Sequence, residues 1–324
     1  MSSFASFVDS AMERIESQQL ITGELLSFEV VEGKRWQTRP YPVWSAIAHD
    51  ALSSLDSGSP AFDSRMLDLL PREHARSVCA RVAAIRWRLR TYLAWEEEAG
   101  GTWKRCGRHS DSAADAATTT CAASALLPVH PGRFAQTDCR REKTVRHFAS
   151  QTECSCIIAA LALRYLGQSG ADTRGLRESV TEWCRQCENL GADLPWFAWV
   201  TARAWRFGSL PGAGAIADAL LGGLKTMHRR DPSFGGVAPL AFTLSAVLNL
   251  RWDEPAAGSG HESSLVSAQR ALLEELLDAT VLAIESPLAP AGCAYEDSAS
   301  PGALLALMLA NTMLACVDTG RYPR

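Results

Sequence analysis

Six stretches of this chain are apolar around the whole circumference of a helix. They are residues 42–55 (PVWSAIAHDALSSL), 115–127, 153–166 (ECSCIIAALALRYL), 194–207 (LPWFAWVTARAWRF), 236–250 (GVAPLAFTLSAVLNL) and 301–317 (PGALLALMLANTMLACV). A helix without a polar face has to be buried on all sides. Between these stretches lie segments with charges at helical spacing: 3–19, 72–95, 172–188, 212–227 and 263–284. The starts of the third, fourth and fifth apolar stretches are ~40 residues apart, the period of a helix-pair repeat. Only the third lacks an amphipathic partner. The Arg-rich run before it, residues 132–152, reads as loop or broken helix.

This alternation predicts an all-α chain forming one domain over residues 1–324. Six inner helices run parallel around an axis and about five outer helices return the chain, an α/α toroid. An irregular, open α-solenoid is the alternative. No Asn-Gly hairpin signal and no sustained alternation of apolar and polar residues argues for strands. With 47% apolar residues among 324, a large core can be filled.

The chain carries a net charge of −4. Nucleic-acid and membrane-surface binders are usually basic, so neither partner is expected. The longest apolar run, 303–317, falls short of the ~18 residues of a membrane span. The start, MSSFASFVDSAMERIESQQ, lacks a basic segment followed by an apolar run, so no signal peptide is read. A cytoplasmic location and mostly buried free thiols among the ten cysteines are therefore expected.

Each inner segment is preceded by a glycine with an aromatic residue close by: Gly23 and Phe28, Gly101 and Trp103, Gly132 and Phe134, Gly191 and Trp196, Gly235 and Phe234, Gly292 and Tyr295. In a parallel set these loops gather at one rim, where all six positive helix ends also point. The rim charge is uneven. Lys34, Arg35, Arg39, Lys104, Arg105, Arg108, Arg133, Arg140, Arg141, Lys143 and Arg146 stand on one side, Glu285, Glu296 and Asp297 on the other. A basic arc suits a diphosphate or carboxylate, although each charge alone is also what a solvated loop carries.

These features together resemble the terpenoid cyclase and protein prenyltransferase superfamily, in particular short bacterial prenyltransferase/squalene-cyclase repeat proteins. The residues that carry the likeness are GELLSF, GGTWKRCGRHSDSAADAATTTCAASALL, TECSCIIAALALRYLG and PSFGGVAPLAFTLSAVL. The resemblance implies an α/α toroid and acid-initiated cyclisation or isomerisation of an isoprenoid or similar apolar substrate in a central cavity. In class II terpene cyclases the proton donor is the third residue of Asp-x-Asp-Asp. The matching stretch here is AADA, residues 113–116, with Asp115 at the donor's place and its neighbours alanine. Asp111, Glu153 and Asp297 are the other acidic candidates. In protein prenyltransferases zinc is held by Asp, Cys and His. Glu153 and Cys154 stand at one such place, but no His opens the fifth inner stretch, so no metal and no cofactor is carried over.

Asp115 has two readings. As a helix N-cap it contributes on the order of 1 kcal/mol; as a general acid it would sit in a desolvated cavity. Trp36, Trp44, Trp103, Trp196, Phe197, Trp199, Phe234 and Tyr295 fall in or just before the inner stretches. They are either core or the π faces that hold a carbocation. With Arg39 and Arg105 they form the substrate-binding set. The partner expected is an apolar small molecule, with or without a diphosphate. The alternatives are a toroid without turnover that binds a pathway enzyme, or another reaction, a hydrolysis or an aromatic prenyl transfer, in the same cavity.

Overall fold

A computed structural model describes residues 2–31, 35–59, 61–127, 136–151, 155–206, 209–210, 214–250, 264–289, 294–295 and 298–320. Among them the chain is all-α apart from one small sheet. The helices are α1 (Ser2–Ser17), α2 (Pro42–Ala51), α3 (Arg72–Glu96), α4 (Ala116–Ala125), α5 (Gln136–Ala149) and α6 (Cys156–Gln168). They continue with α7 (Arg174–Arg185), α8 (Leu194–Arg206), α9 (Gly214–Arg230), α10 (Val237–Asn249), α11 (Ser264–Glu285) and α12 (Pro301–Thr319).

The even-numbered helices are the all-round apolar ones, and they pack on one another. α2 packs on α4, α4 on α6, α6 on α8, α8 on α10, α10 on α12, and α12 on α2. In α12 every residue from Pro301 to Cys316 is buried. Odd-numbered helices bury one face only. In α1 that face is Phe4, Val8, Ala11, Met12 and Ile15, the spacing of a single amphipathic stripe. By length and composition α12 could cross a membrane, yet 89% of its apolar window is buried inside the protein. α1, α2, α10 and α11 pack against it, the surroundings of a core helix.

Helix starts follow local chemistry. Asp115, Ser155 and Ser300 are N-caps whose side chains accept from Thr118, Ile158 and Ala303 N–H. Proline opens α2 and α12, where its missing N–H costs nothing.

Two expectations need correction. The Arg-rich run read as loop contains α5, which packs on α4 and α6. Strands also occur: β1 (Phe28–Val31), β2 (Arg35–Thr38), β3 (Ala294–Tyr295) and β4 (Ser298–Ala299) pair antiparallel in the order β2-β1-β4-β3. Phe28 faces both Thr38 and Ala299. The β1–β4 pairing joins segments some 270 residues apart, a relationship local alternation does not encode.

Candidate functional site

A cavity lies where several of the even-numbered helices begin. Val43, Trp44 and Ile47 come from α2, Ala117 and Thr118 from α4, and Ile157 and Ile158 from α6 with its cap Ser155. Trp196 comes from α8 and Phe242 from α10; Tyr41, Arg105, Asp115 and Ser298 complete the lining. Its volume is about 220 Å³. The first turns of α2, α4, α6 and α8 all border it, so four positive helix ends point toward one space.

Asp115 is placed by a short chain of contacts. Its backbone N–H donates to the carbonyl of Trp103 at 2.9 Å. The Trp103 N–H donates in turn to the hydroxyl of Thr119 at 3.0 Å. The indole N–H of Trp103 donates to the carbonyl of Leu93 at 2.7 Å, and the ring is fully buried. Arg141 of α5 lies over that ring, 5.7 Å from its centre. It also binds Glu97 with both forks, Nε to Oε1 at 2.8 Å and Nη2 to Oε2 at 2.6 Å. Gly101 makes the turn with φ +73, and a Cβ there would stand 3.1 Å from the Arg141 backbone N. The glycine is required by both conformation and space.

The Asp115 carboxyl then does two things. Oδ2 accepts the Thr118 N–H at 2.6 Å, a cap. The residue also borders the cavity together with Arg105 and with Thr118, which carries a hydroxyl. That hydroxyl is buried and has no hydrogen-bond partner among the described residues. An unmade hydrogen bond on a buried group costs on the order of 1–3 kcal/mol.

Of the residues singled out in the sequence, Asp115, Trp44, Trp196 and Arg105 meet at this cavity. Trp44 donates its indole N–H to Ser298 Oγ at 3.1 Å, which ties α2 to β4. The other described ones do not line it. Asp111 is exposed in the loop before α4. Trp103 supports the turn from behind, and Phe197 is core. Phe234 is buried with φ +54 and stacks on His228. Trp36 is half-buried on β2, and Arg39 is exposed with its Nε 3.5 Å from Glu29. Trp199 sits one helical turn below Trp196, on a second void. Glu153 and Asp297 lie outside the described residues, as does the Tyr295 side chain. Sequence reasoning missed Tyr41, Ile47, Thr118, Ile157, Ile158 and Phe242. On helices apolar all round no face is marked as the one toward a cavity. Only the spacing from a cap, as in Asp115 to Thr118, offered a signal.

The second void, about 10 Å³, is bordered by Asp50, Ala51 and Ser54 on the α2 side, Trp199, Arg203 and Arg206 of α8, Ser245 and Asn249 of α10, and Leu307, Ala310, Asn311 and Leu314 of α12. Next to it Asp50 accepts from two arginines. Arg164 binds it with both Nη atoms, Nη1 at 3.1 Å, and Arg203 Nη2 binds Oδ1 at 2.6 Å. Burial would push the Asp50 carboxyl up. The charges of Arg164 and Arg203 outweigh that and hold it well below the usual carboxylate range. The cations stand near the carboxyl ends of α6 and α8, where helix dipoles favour positive charge. His49 is buried beside them, and burial first, then Arg86, pushes it down to about 3. The groups around Asp50 thus form an ionic floor at the end of the helices away from the large cavity.

Among the described residues no three His, Cys, Asp or Glu side chains gather as a metal site. Cys154 lies outside the described residues, while Cys156, Cys184 and Cys187 are buried. The chain matches no family model of known proteins, and no curated protein matches it.

Proposed function

We propose that the cycle of even-numbered helices is an α/α toroid of the terpenoid-cyclase kind, and that its mouth cavity takes a short apolar, isoprenoid-like molecule. The observation that carries this reading is the lining itself. Trp44, Trp196 and Phe242 stand with Ile47, Ile157 and Ile158 in one cavity, and Asp115, Arg105 and Thr118 border it. Apolar walls with few polar groups are the usual make-up of a small-molecule site. At about 220 Å³ the cavity is below the roughly 300–1,000 Å³ of sites for drug-sized ligands. A short substrate fits that better than a long polyene.

The reaction is acid-initiated isomerisation or cyclisation. Asp115 transfers a proton from Oδ1 to a carbon–carbon double bond, since Oδ2 is engaged with the Thr118 N–H. The resulting carbocation lies against the π faces of Trp44 and Trp196. Loss of a different proton to the Asp115 carboxylate forms a new double bond and restores the acid. The cap hydrogen bond favours a second reading, in which the toroid binds its ligand or a pathway enzyme without turnover.

One experiment separates the two readings. Geraniol and geranyl diphosphate are incubated with the wild type and with Asp115→Asn; binding is measured by calorimetry and products by gas chromatography–mass spectrometry. Turnover by the wild type alone supports the acid. Equal binding by both without product leaves the binding reading. Absence of binding in both overturns the cavity assignment.

A further inference from the structure

The large cavity and the small void lie one above the other along the same helices. On α2, Ile47 borders the cavity, and Asp50, three residues on, borders the void. On α8 the step is from Trp196 to Trp199, and on α10 from Phe242 to Ser245. Three residues are nearly one helical turn, so each helix passes from the cavity to the void in about 5 Å of rise. Three rings in mutual contact border the two spaces, Trp196 and Phe242 the cavity and Trp199 the void. Trp196 stacks on Phe242 with centroids 6.0 Å apart and planes 10° apart. Trp199 meets the same Phe242 at 5.1 Å and 31°.

We infer that Phe242 is the depth stop of the cavity: it sets the longest ligand the site accepts and keeps an apolar chain off the Asp50–Arg203 floor. The inference rests on the reading of the cavity as a site for a short apolar molecule, and it names the residue that limits the length. Phe242 suits the task because Trp196 and Trp199 both contact its ring and α8 and α10 pack directly on each other. Beyond it an apolar end would meet Asp50, Arg203, Arg206 and Asn249, whose desolvation an apolar group does not repay. At the other end of the site Asp115 borders the cavity and calls for a group that hydrogen-bonds a carboxyl. A primary alcohol does this.

The test uses linear primary alcohols from butanol to dodecanol as probes on the full chain, with binding read by calorimetry and by tryptophan fluorescence. For the wild type, affinity rises about fourfold with each added methylene and then stops rising at one length. In Phe242→Ala the rise continues for roughly two to three further carbons, the space the ring vacates. Phe242→Leu, which keeps the core filled, moves the break by about one carbon and covers the case in which the alanine variant does not fold. An unchanged break in a folded variant that still binds alcohols overturns the depth stop while leaving the cavity reading intact. Failure of every alcohol to bind the wild type overturns both.

Discussion

The backbone N–H of Asp115 donates to the carbonyl of Trp103 at 2.9 Å, so a carboxyl at the cavity is set by a tryptophan that does not itself line the cavity. Trp103 is held from the far side by Arg141 of α5. The cavity residue therefore depends on an outer helix, through one buried ring and one turn.

Arg141→Ala removes the bidentate partner of Glu97, a pair whose side chains are only 10% and 12% exposed. Breaking one side of such a pair costs about 3 kcal/mol. Urea denaturation should show that loss, and Asp115-dependent turnover should fall with it. Full stability in the alanine variant would mean that α5 does not support the turn.

Asp115→Ala should lose about 1 kcal/mol through the missing cap on Thr118, and Asp115→Asn close to none, because Asn caps nearly as well. Turnover separates the roles: the Asn variant keeps the cap but has no carboxylic proton, and should lose at least ~100-fold. Thermal melts and product formation are read on the same samples. An active Asn variant would leave Asp115 as a cap alone.

His49 sets a pH dependence. Its folded-state value, pushed down to about 3, lies below the ~6.5 of an unfolded histidine. Between those values the unfolded chain binds the extra proton. Stability is therefore present above pH ~6.5 and is lost as pH falls toward 3, by up to ~1.4 kcal/mol per pH unit. Asp50 adds to the loss at the acid end, since its depressed value makes its contribution present only while it is ionised. Burial raises Glu24 and Glu96, so their contributions have the opposite sign and fade as pH rises. Subtracting His49→Gln from wild type cancels those terms. The difference in urea midpoint should grow with pH between 4 and 6; a flat difference would contradict a neutral buried imidazole.

Thiol reactivity divides by burial. The Cys121, Cys184 and Cys316 thiols are each pushed up to about 12, with burial the main cause, and only the thiolate is nucleophilic. Cys139 is exposed on α5. Iodoacetamide at neutral pH should label Cys139 first and spare the three until denaturant is added, as read by peptide mass spectrometry.

The apolar helices were legible because nothing else explains fifteen or so residues without a polar face. Their ends shifted little: residues 194–207 became Leu194–Arg206 and 236–250 became Val237–Asn249. α5 was not legible. Around Arg141 its sequence, QTDCRREKTVRHFA, shows charges on nearly every face, and the helix is held by an ion pair and a ring contact that only the folded chain supplies. The site was half legible. Caps and neighbouring tryptophans mark where a helix starts, so Asp115, Trp44 and Trp196 could be named. Which turn of a uniformly apolar helix faces a void depends on packing, so Phe242, Ile47 and Ile157 could not.

The pairing of Phe28 with Ala299, the Trp44–Ser298 bond and the contact of α12 with α2 have a consequence for synthesis. A chain leaving the ribosome makes α2 early, and the surface that covers it, at Ser298, follows 254 residues after Trp44. Until then the α2 face carrying Trp44 stays open, and folding cannot finish domain-fraction by domain-fraction as it does in a repeat array. Such closure between distant segments raises contact order and slows the final step. In a growing cell, this protein's most vulnerable moment for aggregation is the interval between the birth of its second helix and that of its twelfth.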